Sequence, residues 1–209
     1  RRLLWPLGGA MSVRQEGQRE RERRVKAVAF QLFVTRGYAA TSVRDIAAAA
    51  EVSTGTVRNV GDKASLFLLV MEEAATSTAL DYWTALSHTP PSTDTSLAAE
   101  VMAYFDAQLD VAEAHPQLFR DYWAAYVARV QHADNEARLT DVVDAIARRW
   151  CQHADRPAPD EEVLLAAYTM FSTYSVTILG ICTGLDTARY RGYLRAIVER
   201  ECRPAELNR

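Results

Sequence analysis

Apolar residues recur along the chain at the three- and four-residue spacing of α-helices, and no segment shows the strict alternation of a β-strand. In the first helix, one apolar face runs from Val25 to Phe33 and stops before Gly37, a residue suited to a left-handed helix cap. Proline, glycine and aspartate separate the later helices. The pattern predicts an all-α protein, with helices after residue 60 at about 62–88, 95–113, 116–133, 135–154, 160–183 and 186–203.

Between residues 39 and 63 the pattern predicts two short helices joined by a sharp turn. Ser42 and Asp45 form an S-x-x-D capping box at the start of the first helix, and Ser53 can cap the second. The alanines at 47 to 50 permit a close crossing of the two helices. This arrangement indicates a DNA-binding helix-turn-helix.

A set of short motifs covers the same region: Gly37-Tyr38, Thr41-Ser42, Ile46-Ala47, Val52-Ser53, Gly55-Thr56 and Lys63. Over residues 20 to 70 the chain therefore resembles the N-terminal domain of the TetR family of transcriptional regulators. The resemblance implies an N-terminal three-helix helix-turn-helix DNA-binding domain, followed by a six-helix ligand-binding and dimerisation domain. We place these domains at residues 12–62 and 63–205.

Two positions depart from the pattern of that family. Glu51 stands where the family usually has a glycine, at a turn position that favours positive φ, so its side chain would cost about 1 kcal/mol. Arg58 stands where the family usually has a phosphate-contacting tyrosine, and the segment from there to Lys63 is one residue shorter. A guanidinium pairs with either a phosphate or a guanine edge, and both roles remain open for Arg58.

The helix that begins at Ser53 is expected to enter the major groove of DNA, with Val52 and Val57 facing inward. Phosphates would be held by residues around the helix N-termini at Ser42 and Asp62. The candidate DNA-binding residues are Thr41, Ser42, Arg44, Ser53, Thr54, Gly55, Thr56, Arg58 and Lys63.

Charge is distributed unevenly. Residues 1–70 hold 12 Lys/Arg against 6 Asp/Glu, a net +6, whereas residues 71–209 hold 12 against 21, a net −9. Only the N-terminal part suits a polyanion, so double-stranded DNA is the expected partner. The basic run at 21–24 has a plainer interpretation as a solvated helix face, but the adjacent helix-turn-helix favours DNA.

The predicted helix 160–183 is apolar nearly all round, so it needs cover on more than one side. A homodimer, in which a second subunit supplies part of that cover, is favoured over complete burial within a monomer. Because one short recognition helix reads few base pairs, a homodimer would bind a pseudo-palindromic operator.

Aromatic residues are frequent in the middle helices and suit a pocket for an unidentified small organic ligand, although ordinary core packing explains each of them singly. Hydroxyls at Thr173, Ser175 and Thr177 favour the ligand, but they can also bond back to their own helix. The candidate ligand-binding residues are Phe105, Trp123, Tyr126, Tyr168, Phe171 and Tyr174.

Motifs of hydrolases, nucleotide-binding enzymes and zinc proteases are absent from the sequence, so we expect no enzyme, no cofactor and no metal site. Three widely spaced cysteines fit buried thiols in a reducing cytoplasm. No apolar run reaches the roughly 18 to 20 residues of a membrane span, so no membrane partner is expected. Residues 1–10 are expected to precede a natural start at Met11.

These features predict a TetR-like repressor that a small organic ligand releases from a palindromic operator, with the helix from residue 62 acting as the lever. The alternatives are a ligand-independent helical regulator and a protein-interaction adaptor that has lost operator reading.

Overall fold

A computed structural model describes residues 13–92, 94–129 and 135–207. Within these ranges the chain forms nine α-helices and no strand, which confirms the all-α prediction. The predicted start at Met11 and the end of the predicted helix 116–133 lie outside the described residues. The helices are α1 (Val13–Arg36), α2 (Val43–Ala49), α3 (Thr54–Val60), α4 (Lys63–Ser87), α5 (Leu97–Ala114), α6 (Pro116–Arg129), α7 (Asn135–His153), α8 (Glu161–Thr183) and α9 (Thr187–Leu207).

The chain divides into two compact units within α4, after Val70. The first unit holds α1, α2, α3 and the first two turns of α4, and the second holds the remainder of α4 with α5 to α9. The domain boundary predicted from sequence, between residues 62 and 63, falls at the start of α4, before this division.

Three aromatic rings form the centre of the first unit. The ring of Phe33 packs edge-on against Phe67, with 4.9 Å between centroids, and Tyr38 lies 4.6 Å from Phe67. Gly37 ends α1 with a φ of 85°, as predicted, and its amide donates to the carbonyl of Phe33. This left-handed cap turns the chain so that Tyr38 returns to the core.

Helix α8 is the central helix of the second unit and packs against α5, α6, α7 and α9. The Asp160 carboxylate caps its start by accepting from the amide of Val163, and Gly184 ends it in the left-handed conformation. By length and composition α8 is also the one described helix that could cross a membrane. Core helices of globular proteins share that composition, and Met170, Tyr174 and Ile178 of α8 lie in the core.

Charged side chains are buried where α5 and α7 meet the end of α4. Glu100 is 7% exposed and accepts hydrogen bonds of 2.7 and 2.6 Å from the guanidinium of Arg149, which is 3% exposed. A ring nitrogen of His153 lies 2.9 Å from the same carboxylate. Arg149 also donates to the carbonyls of Leu86 and Thr89. One arginine therefore links α7 to α5 and to the end of α4 through buried and part-buried hydrogen bonds.

All three cysteines are buried and free, as the sequence indicated. Burial raises the pKa of the Cys151 thiol and that of the Cys182 thiol. Cys202 lies beside Met170, with 3.7 Å between the sulfur atoms. These residues pack as small apolar side chains.

Candidate DNA-binding and ligand-binding sites

The predicted capping box at the start of α2 is present. The amide of Asp45 donates to the Ser42 hydroxyl at 3.2 Å, and the amide of Ser42 donates to the Asp45 carboxylate at 2.8 Å. The hydrogen bonds from Ser42 hold the pKa of Asp45 below its usual range. Ile46 and Ala47 then anchor α2 in the core. Ser42 and Arg44, both predicted phosphate contacts, are exposed at this end of the helix.

The turn after α2 is a Schellman motif with glutamate at its left-handed position. The amide of Val52 donates to Ala47 at 3.0 Å, and the amide of Glu51 donates to Ala48 at 3.3 Å. Glu51 has a φ of 53°, so the backbone adopts the conformation that a glycine would favour. Glu51 therefore carries the strain of a left-handed residue that is not glycine, in which the Cβ lies close to the following carbonyl oxygen.

Glu51→Gly is expected to raise the free energy of unfolding by about 0.5 to 1 kcal/mol, because removing the Cβ relieves the left-handed strain by more than glycine costs in chain entropy. Chemical denaturation of both proteins measures the change. Glu51→Ala removes the same carboxylate but keeps the Cβ, so it should give no such gain. Equal stability of the glycine and alanine variants would contradict the inferred backbone strain at Glu51.

Helix α3 presents polar residues outward. The Ser53 hydroxyl caps it by accepting from the amide of Thr56 at 3.0 Å, and Val57 is fully buried beneath it. Thr54 and Arg58 are exposed, as is Gly55. Thr56 is half-buried, and its hydroxyl lies 3.0 Å from that of Ser53, so it supports the cap as well as the outer face.

Thr41 does not belong to the outer surface. Its side chain is 1% exposed, and its hydroxyl donates to the carbonyls of Gly37 and Leu32 at 2.9 and 3.3 Å. The hydroxyl therefore joins the end of α1 to the start of α2, and the predicted phosphate contact by this side chain has to be withdrawn.

Lys63 lies at the first position of α4, and its ammonium is 4.3 Å from the centre of the Tyr38 ring. It also donates to the carbonyl of Ala39 at 3.5 Å. Asp62 caps the same helix by accepting from the amide of Ser65 at 2.9 Å. One amide at the N-terminus of α4 therefore already donates to the Asp62 carboxylate. The Lys63 ammonium remains as the group at this helix end that can bind a DNA phosphate.

The candidate ligand-binding residues divide into aromatic rings that lie in or against the core of the second unit and one exposed ring, that of Tyr168. Phe105 and Tyr174 are buried and stacked, with 4.5 Å between centroids, and Phe171 lies 5.7 Å from Tyr174. On α6, Trp123 packs against the same core and contacts Tyr126 at 5.4 Å.

Tyr168 is separate from these rings. Its side chain is 57% exposed on the outer face of α8, so the interpretation of Tyr168 as an interior ligand contact was wrong. The side chain faces away from the core because it belongs to the exposed stripe of α8 rather than to the buried one.

The hydroxyls of α8 carry no information about a ligand. Thr173, Ser175 and Thr177 each donate to the carbonyl four residues earlier, at 2.8 to 2.9 Å. Their polar groups are satisfied within the helix.

Two buried indole N–H groups give a different signal, which the sequence could not reveal. Trp83 and Trp123 each have a buried Nε1 atom without a hydrogen-bond partner in the described part of the chain. Buried donors are almost always satisfied in native proteins, so an ordered water or another acceptor is expected beside each of these indoles. Within the described ranges no group of His, Cys, Asp and Glu side chains could hold a metal ion.

Comparison with known proteins identifies the first unit. Residues 27–68 match the family model of bacterial regulatory proteins, tetR family. No sequence among the curated proteins matches the chain.

Solved structures share the whole fold. A tetR-family transcriptional regulator from Streptomyces coelicolor is 22% identical with a TM-score of 0.60, covering 91% of this chain and 80% of that one. A TetR transcriptional regulator from Rhodococcus sp. RHA1 is 19% identical with a TM-score of 0.63, covering 91% and 97%. FadR from Thermus thermophilus, a TetR-family transcriptional repressor solved with lauroyl-CoA, is 17% identical with a TM-score of 0.59, covering 90% and 94%. Residues 27–68 therefore match the N-terminal domain of tetR-family regulatory proteins, and the chain as a whole has the fold of these solved regulators.

Proposed function

We propose that the protein is a cytoplasmic, homodimeric repressor that binds a pseudo-palindromic operator through α3 and leaves it when a small organic ligand binds the second unit. The observation that carries the proposal is the capped α2–α3 pair, in which Val57 is buried while Thr54 and Arg58 face outward. A short helix held in this way can place its first turn against base edges in a major groove. The proposal includes no catalytic step.

Phosphate contacts are assigned to exposed or accessible groups of the first unit. Ser42 and Arg44 lie at the start of α2, and Lys63 lies at the start of α4. The net charge of +6 over residues 1–70 supports attraction to DNA, because neutralised phosphates release counterions.

The proposal of a homodimer rests on α8. Its outer face carries an apolar stripe of Leu165, Tyr168, Val176 and Leu179, each about half exposed or more. These positions share one face of α8, where the small Ser172 lies between the pair Leu165 and Tyr168 and the pair Val176 and Leu179. An exposed and mostly apolar helix face of this kind favours a protein interface, and a second copy related by a two-fold axis would cover it with the same residues.

Val176→Arg is expected to convert the dimer into a monomer, because a guanidinium would be buried in the apolar interface without a partner. The matched control is Val111→Arg, since Val111 is similarly exposed but lies on α5. Analytical ultracentrifugation distinguishes the species. An arginine at the neighbouring Ile178 would not test the interface, because that residue is 5% exposed and its replacement would disrupt the core. A monomeric wild type, or identical behaviour of the two arginine variants, would exclude this interface.

The proposed ligand region lies around Phe105, Trp123 and Tyr174, where the unsatisfied indole N–H of Trp123 offers a donor. Burial raises the pKa of Tyr174 well above its usual value, so its phenol is neutral. FadR from Thermus thermophilus, bound to lauroyl-CoA, offers a precedent for a ligand on this fold. A ligand releases DNA only if it binds the DNA-free conformation of the protein more tightly than the DNA-bound one. The coupling free energy between ligand binding and DNA binding is typically about 1 to 3 kcal/mol.

Footprinting on DNA upstream of its own gene tests the proposal. We expect a protected site with two related half-sites about one helical turn apart, and a strong decrease in affinity with salt. Equal affinity for all duplexes would favour an adaptor without operator reading. A footprint that no hydrophobic compound releases, although DNA binds specifically, would favour the ligand-independent regulator.

A further inference from the structure

A groove of about 270 Å³ lies between α4 and α7 in the second unit. Its apolar part is formed by Leu80 and Trp83 of α4 and by Val142 and Ala145 of α7. None of these residues belongs to the ligand region proposed above. A dry cavity of about 150 Å³ is known to hold a benzene ring, so this groove has room for a bicyclic aromatic ligand.

The ends of the groove have opposite charges. Arg148 lies exposed at one end, and it forms no ion pair within the part of the chain that the structure describes. Asp141 lies exposed seven residues earlier on α7, which is roughly 10 Å along the helix axis. The neighbouring Arg149 is committed to Glu100 and to two main-chain carbonyls. Arg148 is therefore the cation that can receive an anion.

Trp83 supplies an independent sign of a ligand. The side chain is 6% exposed and lines the groove, yet its indole N–H has no acceptor among the described residues. Buried donors are almost always satisfied in native proteins, so an ordered water or a ligand atom is expected to accept from this indole N–H at the wall of the groove.

We propose that this groove binds a planar aromatic monocarboxylate. The carboxylate pairs with the guanidinium of Arg148 in bidentate geometry, and the rings lie against Leu80, Trp83 and Val142. Asp141 makes the site selective, because a second anionic group at the far end of the ligand would approach its carboxylate. The site does not depend on DNA binding, so its test is independent of the operator.

The test uses the full chain and 2-naphthoate as the probe, with calorimetry at low salt. Arg148→Gln is expected to weaken 2-naphthoate binding about tenfold, because a charge-assisted bidentate contact is lost. Arg203→Gln, which removes an exposed arginine of α9, should leave the affinity unchanged. Neutral 2-naphthamide should bind the wild type and the Arg148→Gln variant equally.

Three further variants locate the ligand. Ala145→Phe fills the groove and should abolish binding, while 2,6-naphthalenedicarboxylate should bind the wild type several-fold more weakly than 2-naphthoate and regain affinity in Asp141→Asn. In the nitrogen-15 spectrum, 2-naphthoate should move the indole signal of Trp83, identified through its loss in Trp83→Phe, and leave that of Trp123 in place.

Three results would overturn the proposal. They are no heat of binding at millimolar 2-naphthoate, equal affinities in Arg148→Gln and Arg203→Gln, and a shift of the Trp123 signal without one at Trp83. The last result would place the compound in the aromatic interior instead.

Discussion

Glu100→Ala is expected to lower the free energy of unfolding by about 3 to 5 kcal/mol, because it leaves the guanidinium of Arg149 buried without its counter-ion. The hydrogen bonds from Arg149 to the carbonyls of Leu86 and Thr89 do not compensate the lost charge. Glu100→Gln keeps the size of the side chain but not its charge, so it should remain destabilised. Chemical denaturation at neutral pH measures both variants.

Glu113→Ala is the matched control. Glu113 also accepts from an arginine, the Nε of Arg191 at 3.0 Å, but it is on the surface of α5. Its removal should cost no more than about 1 kcal/mol. A similar loss in the free energy of unfolding for the variants at positions 100 and 113 would show that burial does not strengthen the Glu100–Arg149 ion pair.

The stabilisation by Glu100 should also depend on pH. Burial alone would raise the pKa of Glu100, but hydrogen bonds from Arg149 and His153 outweigh burial and hold that pKa below its usual value. Because the folded pKa is lower than the unfolded one, the stabilisation is complete above the unfolded pKa and is lost as pH falls through the folded pKa. The difference between wild type and Glu100→Ala should therefore shrink at acidic pH.

Arg58→Ala is expected to weaken operator binding by about 5- to 150-fold while changing binding to unrelated duplexes little, if the guanidinium reads a guanine edge. Arg58 is exposed in the last turn of α3, where it can reach the groove that this helix enters. Fluorescence anisotropy with the footprinted operator and a shuffled duplex separates the two effects. An equal loss on both duplexes would instead assign Arg58 to a phosphate.

Lys63→Ala provides the comparison. It should weaken binding to every duplex alike and reduce the slope of log affinity against log salt by about one unit. Because the Lys63 ammonium also lies over the Tyr38 ring, thermal unfolding of the variant must be recorded alongside. Unchanged operator binding in the double variant of Arg58 and Lys63 would contradict the assignment of the DNA surface.

The first unit was predictable where its contacts are local. The capping box of Ser42 and Asp45 joins residues three apart, and Gly37 ends its helix through an amide four residues from its acceptor. Such short-range patterns can be read from spacing alone. Thr41 was misassigned because its hydroxyl reaches Leu32, nine residues earlier, across a corner that spacing does not reveal.

In the second unit, contacts between distant residues decide the outcome. Glu100 and Arg149 are 49 residues apart, so no sequence window shows their pairing. The sequence identified α8 as apolar all round, but it could not tell which face the other helices cover. Tyr168 and Tyr174 therefore looked equivalent, although one is exposed and the other is stacked on Phe105.

The burial of every native thiol makes this chain convenient for site-specific labelling. Cys151, Cys182 and Cys202 are inaccessible, and the raised pKa of the first two keeps them protonated at neutral pH, whereas maleimides react with accessible thiolates. A pair of introduced cysteines, Gln31→Cys on α1 and Ala85→Cys on α4, can thus carry spin labels without removal of any native residue. Pulsed electron resonance between those labels would then report, as a distance distribution, how each added compound changes the spacing of the two units.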